Sequence, residues 1–122
     1  MKKILVVDDK SVVRELVKVT LQSDNREIFE AASGEEAVEI AKRILPELVL
    51  MDVMMPLAKV DGFEATRIIK SDPNLKNTVI IMLTALGQQY DLDKGHKVGA
   101  DDYFTKPFSP LELLKTVEKF IG

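Results

Sequence analysis

Five polar residues of this sequence stand directly after short apolar runs. Asp8 and Asp9 follow Ile-Leu-Val-Val, and Asp52 follows Leu-Val-Leu-Met. Thr84 and Lys106 end two later runs. Three carboxylates that meet at one place repel one another, and each raises the pKa of the others unless a cation keeps them ionised. The residue types therefore predict a site for a divalent cation, with a hydroxyl and a lysine beside it.

The chemistry that fits these side chains is phosphoryl transfer. A few oxygen ligands suit an octahedral Mg²⁺ that keeps several waters and accepts a phosphate oxygen. Asp52 can act as the nucleophile and form an acyl phosphate. Such a transfer depends on positioning and on neutralisation of charge, which Mg²⁺ and Lys106 would supply, while Thr84 and a loop amide donate hydrogen bonds. No histidine is needed as a base.

The elements that must bring these residues together alternate between strand and helix five times. The predicted strands cover residues 4–7, 26–31, 47–52, 78–84 and 103–105, and the predicted helices, with their caps, cover 10–22, 33–44, 61–71, 88–98 and 109–120. This alternation predicts an α/β fold, a doubly wound parallel sheet with helices on both faces. Ligands of such folds lie beyond the carboxyl ends of the strands, where strand order reverses, so the five polar residues should meet there.

Local patterns refine this picture at several points. The unbroken apolar run before Asp52 predicts a central strand covered on both faces, whereas the more polar stretch 26–31 predicts a strand near the sheet edge. Asp9 or Ser11 is placed to cap the first helix. Ser33 begins a capping box, and Ser109 caps the last helix with a proline at its first position.

Composition sets the limits on domain number and function class. The chain has 122 residues, 46% of them hydrophobic, which suits one domain over residues 1–122. Its net charge of -3 gives no general attraction to nucleic acid or to an anionic membrane, and the absence of cysteine excludes disulfides and thiolate metal sites. The charged start is followed by too short an apolar run for a signal peptide, so we expect a cytoplasmic protein.

Four motifs in this order closely resemble the receiver domains of two-component response regulators. They are Val-Val-Asp8-Asp9, Met51-Asp52-Val-Met-Met-Pro56, Leu83-Thr84-Ala85, and Gly99-Ala100-Asp-Asp-Tyr103-Phe-Thr-Lys106-Pro107-Phe108. The resemblance covers the whole chain. It implies the flavodoxin-like, CheY-like fold of five strands and five helices, with the strand order 2-1-3-4-5.

The resemblance also implies roles for the site residues. Asp52 would be phosphorylated by a sensor histidine kinase or a histidine phosphotransfer protein. Asp9 and Asp52 would bind Mg²⁺ directly together with the carbonyl of Met54, and Asp8 would act largely through water. Lys106 would contact the phosphoryl group. The domain would catalyse its own phosphorylation and slow dephosphorylation, without turning over a product.

A conformational output is implied as well. Thr84 would move towards the phosphoryl oxygen after modification, and Tyr103 would turn inward. These movements would change the surface formed by the fourth helix, the last strand and the last helix, where a downstream protein target would bind. The bond between Lys106 and Pro107 is expected to be cis.

Val12, Leu16 and Val19 predict an exposed edge on the first helix, because the apolar residues of that helix cover a wider arc than a single buried stripe. Receivers dock their phosphodonor with this helix and the loop that here contains Pro107 and Phe108. A central helix that buries more than a narrow stripe is the competing explanation.

Two features depart from the usual receiver pattern. The segment between Pro56 and the Asp-Gly pair is Leu57–Val60, four residues where receivers commonly have two. This insertion could alter the carbonyl of Met54, phosphoryl access or the hydrolysis rate. Lys10, directly after the acidic pair, could screen the carboxylates or contact a partner.

We favour the hypothesis that the protein is a single-domain regulator, and the alternative is that it is the receiver half of a longer DNA-binding regulator. An aspartyl-phosphate phosphatase is disfavoured, because Met54 stands where such enzymes place a second aspartate. A nucleotide or flavin module is disfavoured too, because Asp8 and Asp9 offer carboxylates where phosphate needs amides. The lone His96 is expected to be a solvated helix residue.

Overall fold

Five strands and five helices alternate along the chain. The computed structural model describes residues 1–85 and 89–122, and it describes residues 85, 89–92 and 95 by their backbone alone. The elements are β1 (Lys2–Val7), α1 (Ser11–Leu21), β2 (Arg26–Ala31), α2 (Gly34–Ile44), β3 (Leu48–Asp52), α3 (Gly62–Ser71), β4 (Val79–Ala85), α4 (Gln89–Val98), β5 (Asp102–Lys106) and α5 (Pro110–Ile121). Their bounds agree with the predicted ones within two residues, although residue 88, the predicted start of α4, lies outside the described part.

The five strands form one parallel sheet in the order β2-β1-β3-β4-β5. This order confirms the doubly wound fold, and it confirms that residues 26–31 form an edge strand. The chain passes from β1 to β2 on one side and returns to β3 on the other. The strand order therefore reverses between β1 and β3, the strands that lead into the three aspartates.

Two hydrophobic layers cover the sheet. One layer packs β1, β3 and β4 side chains against α2 and α3, and the other packs the alternate side chains against α1 and α5. All five residues of β3 are buried, which explains its unbroken apolar sequence. Among the described residues, no helix has the length and apolar character that crossing a bilayer requires.

The predicted caps of α2 and α5 are confirmed, but that of α1 is wrong. Ser33 and Ser109 accept hydrogen bonds from amides in the first turns of α2 and α5. The N-cap of α1 is Lys10, which makes no side-chain capping bond. Ser11 is already the first helical residue, and the carboxylate that folds back locally is that of Asp8, which accepts the Lys10 amide at 2.9 Å.

Two helix starts approach neighbouring backbone so closely that only glycine fits. A Cβ atom on Gly62, the first residue of α3, would collide with the carbonyl oxygen of Asp52. A Cβ atom on Gly34, the first residue of α2, would collide with the carbonyl oxygen of Val60. Gly62 therefore holds the start of α3 directly against the end of β3.

We expect Gly62→Ala to lower the free energy of unfolding by about 1–3 kcal/mol, the usual cost of overpacking. Without the collision, alanine would favour the helix by about 1 kcal/mol over glycine. Urea denaturation followed by circular dichroism measures the change. Unchanged or increased stability would show that Asp52 and α3 are not held in close contact.

Candidate functional site

The three predicted aspartates meet at the point where strand order reverses. Asp8 and Asp9 follow β1, Asp52 ends the adjacent strand β3, and each offers a carboxylate oxygen that lies within 4.8 Å of the others. Asp8 and Asp52 are buried, whereas Asp9 is exposed. The cluster thus has two buried carboxylates and one carboxylate that faces solvent.

Lys106 joins the two buried carboxylates. Its ammonium nitrogen lies 2.9 Å from Oδ1 of Asp52 and 3.1 Å from Oδ2 of Asp8. The lysine stands at the end of β5, two strands away from β3, so its long side chain reaches across the end of β4. One cation therefore serves two buried anions, with a third carboxylate nearby.

Burial and charge shift the pKa of both partners. Burial raises the pKa of Asp52 above its ordinary value; the hydrogen bond from Lys106 opposes this rise, and the charge of Asp8 adds to it. Burial alone would lower the pKa of Lys106, but its bonds and attraction to Asp52 and Asp8 outweigh burial and raise it. The lysine is thus held protonated beside a carboxylate whose ionised form is costly.

The two oxygens of Asp52 differ in their hydrogen bonding. Oδ1 accepts from Lys106 and, at 3.3 Å, from the amide of Met54. Oδ2 is buried and has no hydrogen-bond partner within residues 1–85 and 89–122. A buried carboxylate oxygen without a partner is costly, so Oδ2 is the atom that a bound cation or phosphoryl group would satisfy.

Asp8 is held by contacts that the sequence did not reveal. Its backbone carbonyl accepts a hydrogen bond from Arg14 at 2.7 Å, and Arg14 also bonds Glu30 on β2 at 3.1 Å. The sequence feature that could have indicated these contacts is a basic residue, Arg14, one helical turn after Lys10 on α1. Both carboxylate oxygens of Asp8 are already engaged, by Lys10 and by Lys106.

A cavity of about 570 Å³ opens next to the acidic cluster. It is lined by Lys10, Val13, Leu16, Asp52, Met54, Leu83, Lys106, Pro107 and Phe108. Three of the predicted docking residues, Leu16, Pro107 and Phe108, therefore lie beside Asp52. Val12 and Val19 are 79% and 65% exposed on α1 but do not line the cavity.

The predicted switch residues occupy neighbouring strands. Thr84 is buried on β4, one residue beyond Leu83, the register partner of Asp52. Tyr103 is half-buried on β5, and its hydroxyl is buried without a hydrogen-bond partner in the described part of the chain. Burial raises the pKa of Tyr103. The ring of the exposed His96 contacts the Tyr103 ring edge-on at 4.8 Å.

Residues 4–118 match the family model described as "Response regulator receiver domain". The chain belongs to this family. It is thus a receiver domain of two-component signalling, a family in which phosphorylation and magnesium binding are typical. The peptide bond between Lys106 and Pro107 is cis, as the resemblance predicted.

Two solved structures are similar to this chain over almost its whole length. Chemotaxis protein CheY4 of Vibrio cholerae is 36% identical, with a TM-score of 0.90 over 99% of each chain. The receiver domain of sensor histidine kinase PA1611 from Pseudomonas aeruginosa PAO1 is 34% identical, with a TM-score of 0.88 over 99% of this chain and 98% of that one. Its structure has a magnesium ion coordinated in the active site cleft.

A sequence relative places the receiver domain in a longer protein. The DNA-binding dual master transcriptional regulator RpaA of Synechocystis sp. is 36% identical over 121 residues, which are 99% of this chain and 49% of RpaA. The chain spans about half the length of the curated relatives that it matches.

The receiver site fits a magnesium ion by its donor chemistry. It offers carboxylate oxygens from Asp8, Asp9 and Asp52, and one of them, Oδ2 of Asp52, is buried without a partner among the described residues. Hard oxygen donors of this kind are the ligands that Mg²⁺ prefers.

We expect Asp52→Asn to raise the free energy of unfolding of the metal-free receiver domain at neutral pH, because burial raises the pKa of Asp52 in the folded state. A carboxyl group whose pKa is higher in the folded than in the unfolded state costs folding free energy wherever it is ionised. Urea denaturation with a chelator present measures this change, and Asp9→Asn, at the exposed carboxylate, should have a smaller effect. A marked loss of stability in Asp52→Asn would mean that the pairing with Lys106 outweighs the cost of burial.

Proposed function

We propose that this receiver domain is a phosphorylation-activated switch whose phosphoacceptor is Asp52. The observation that carries the proposal is the difference in hydrogen bonding between its two carboxylate oxygens. Oδ1 is fixed by Lys106 and the Met54 amide, while Oδ2 is buried with no described partner, and the carboxylates of Asp8 and Asp9 belong to the same cluster. This arrangement leaves one oriented oxygen to attack a phosphorus atom.

The neighbouring residues neutralise the charge that arrives with a phosphoryl group. Asp9, Asp52 and the carbonyl of Met54 would hold Mg²⁺, with Asp8 acting through water. The bound ion would supply positive charge to the phosphoryl oxygens. Lys106 would add a second positive charge, because its ammonium group already lies against Oδ1 of Asp52. The domain would thereby catalyse its own phosphorylation and slow dephosphorylation.

The phosphodonor we propose is a sensor histidine kinase or a histidine phosphotransfer protein. Receiver domains partner with histidine kinases, and the cavity beside Asp52 has an apolar rim that includes Leu16 and Phe108. Val12 and Val19 extend that rim as an exposed apolar edge of α1. A donor helix that covers this edge would bring its phosphohistidine to Asp52.

The output would be a change of surface rather than a product. Thr84 would move to the phosphoryl oxygen, and Tyr103 would turn further inward. The hydroxyl of Tyr103 is already buried without a described partner, so its present position is a costly one that a rearrangement could relieve. The altered face of α4, β5 and α5 would bind a downstream protein.

Two forms of the regulator are compatible with this switch. CheY4, which this chain matches over 99% of the CheY4 chain, supports the favoured single-domain form, with residues 1–122 as the working unit. RpaA, matched over 49% of its length, supports a receiver that controls a DNA-binding domain. The cytoplasmic location stays a prediction.

Incubation with acetyl phosphate and Mg²⁺ is expected to add one phosphoryl group to the native protein and none to Asp52→Asn. Intact-mass spectrometry measures the adduct, and a chelator control should abolish it. An adduct that survives in the variant would assign the phosphoacceptor to another residue. A folded, Mg²⁺-binding native protein without an adduct would contradict the proposed function.

We expect the double variant Val12→Glu, Val19→Glu to slow transfer from a phosphorylated histidine kinase roughly tenfold, because two apolar contacts become charges. Phosphorylation by acetyl phosphate should stay at the native rate, since both side chains are exposed and neither is part of the core. Rapid-quench transfer assays measure both rates. Equal losses with both donors would indicate damage to the fold and contradict the docking role.

A further inference from the structure

The loop between β3 and α3, residues 53–60, is attached to Asp52 at both ends. At its start, the Met54 amide donates to Oδ1 of Asp52 at 3.3 Å. Just beyond its end, Gly62 packs against the backbone carbonyl of Asp52. The inserted segment Leu57–Val60 lies between these two attachments. Any displacement of the segment can therefore be transmitted to the hydrogen bond on Oδ1.

A single carboxylate on α2 binds the inserted segment. Oε1 of Glu35 accepts the Val60 amide at 3.1 Å, and Oε2 accepts the Lys59 amide at 3.3 Å. Hydrogen bonds to an ionised carboxylate are stronger than neutral ones. The pKa of Glu35 lies below its ordinary value because its own backbone amide and that of Val60 bond the ionised form. Glu35 therefore holds two successive loop amides at once.

The other described contacts of the inserted segment are apolar packing and one hydrogen bond within the loop, so Glu35 is the side chain that binds its amides. The carbonyl of Val60 fits against Gly34, and the side chains of Ala58 and Val60 pack against the core. The Ala58 amide also bonds the carbonyl of the buried Met55 at 3.1 Å. The tip of the segment, Leu57, is 97% exposed and adds no packing. The loop is thus closed by Glu35 on one side and by Met55 on the other.

We propose that Glu35 is a positioning residue for the phosphoacceptor site. It touches neither Asp52 nor the other aspartates. Instead, it fixes the inserted segment against α2, so that the loop keeps the Met54 amide on Oδ1 of Asp52. The longer loop needs such an anchor, because each added residue increases the number of conformations open to it. This inference rests on the proposed role of Asp52.

Glu35→Gln tests the proposal, because its amide group keeps the size of the side chain but can accept from only one of the two loop amides. The matched control is Glu36→Gln, which removes the same charge from the same helical turn. The Glu36 carboxylate accepts from the amide of Ala32 at 2.9 Å, whereas the two loop amides donate to Glu35. Both variants should lose similar helix-capping stability.

We expect amide hydrogen exchange, measured by NMR without metal, to become about two- to tenfold faster at Lys59, Val60 and Met54 in Glu35→Gln, in line with the loss of one hydrogen bond. Phosphorylation by acetyl phosphate should slow by a similar factor. Glu36→Gln should change neither. The same exchange at Met54 and the same phosphorylation rate in both variants would overturn the proposal, as would faster exchange confined to Lys59 and Val60.

The exchange measurement also separates this inference from the proposed function. If the native protein takes up no phosphoryl group, the function proposed for Asp52 fails. The exchange at Met54 still reports whether Glu35 positions the loop. If the native protein is phosphorylated normally and Met54 does not respond to Glu35→Gln, the positioning role alone fails.

Discussion

The enclosure of two carboxylates at the end of the sheet, with Lys106 as their shared cation, is the constraint on which the rest of this receiver domain depends. Asp8 and Asp52 are buried, and the third carboxylate, Asp9, lies within 4.8 Å of them. One lysine cannot neutralise three negative charges. The folded protein therefore keeps an excess of negative charge in a region of low dielectric, a costly arrangement that binding of positive charge would relieve.

The sheet order explains why this cost can be concentrated at one point. Because the order reverses between β1 and β3, the connections from these strands run to opposite sides, and their acidic ends meet at one point next to the exposed Asp9 and the cavity. The fully buried β3 then fixes the backbone of Asp52, and Gly62 brings the start of α3 against it. Stability supplied by the two apolar layers thus maintains a site that is itself unfavourable, as is common for functional residues.

Sequence reasoning predicted the fold and the acidic cluster because both depend on local patterns. An apolar run that ends in a charged residue predicts both a strand and the position of its end. Asp8, Asp52 and Lys106 could therefore be assigned to one edge of the sheet from the sequence alone. The predicted cap of α1 was wrong because the local pattern leaves the helix start open among adjacent polar residues, and the N-cap position falls on Lys10, between Asp9 and Ser11. The contacts of Arg14 and Glu35 were missed for a related reason. Both residues bind backbone groups distant in sequence, and such partners leave no periodic signal.

The double attachment of the loop after β3 bears on how receiver chains of this kind can vary in length. Since the Met54 amide and Gly62 tie the loop to Asp52 on either side, residues added between them extend outward, and the exposed Leu57 stands at the tip of that extension. Length can change here without altering the span between the two attachments as long as the added residues are themselves anchored, as Glu35 anchors Lys59 and Val60. An anchored segment is therefore a place where surface diversity can accumulate close to Asp52 while the geometry of its carboxylate is preserved.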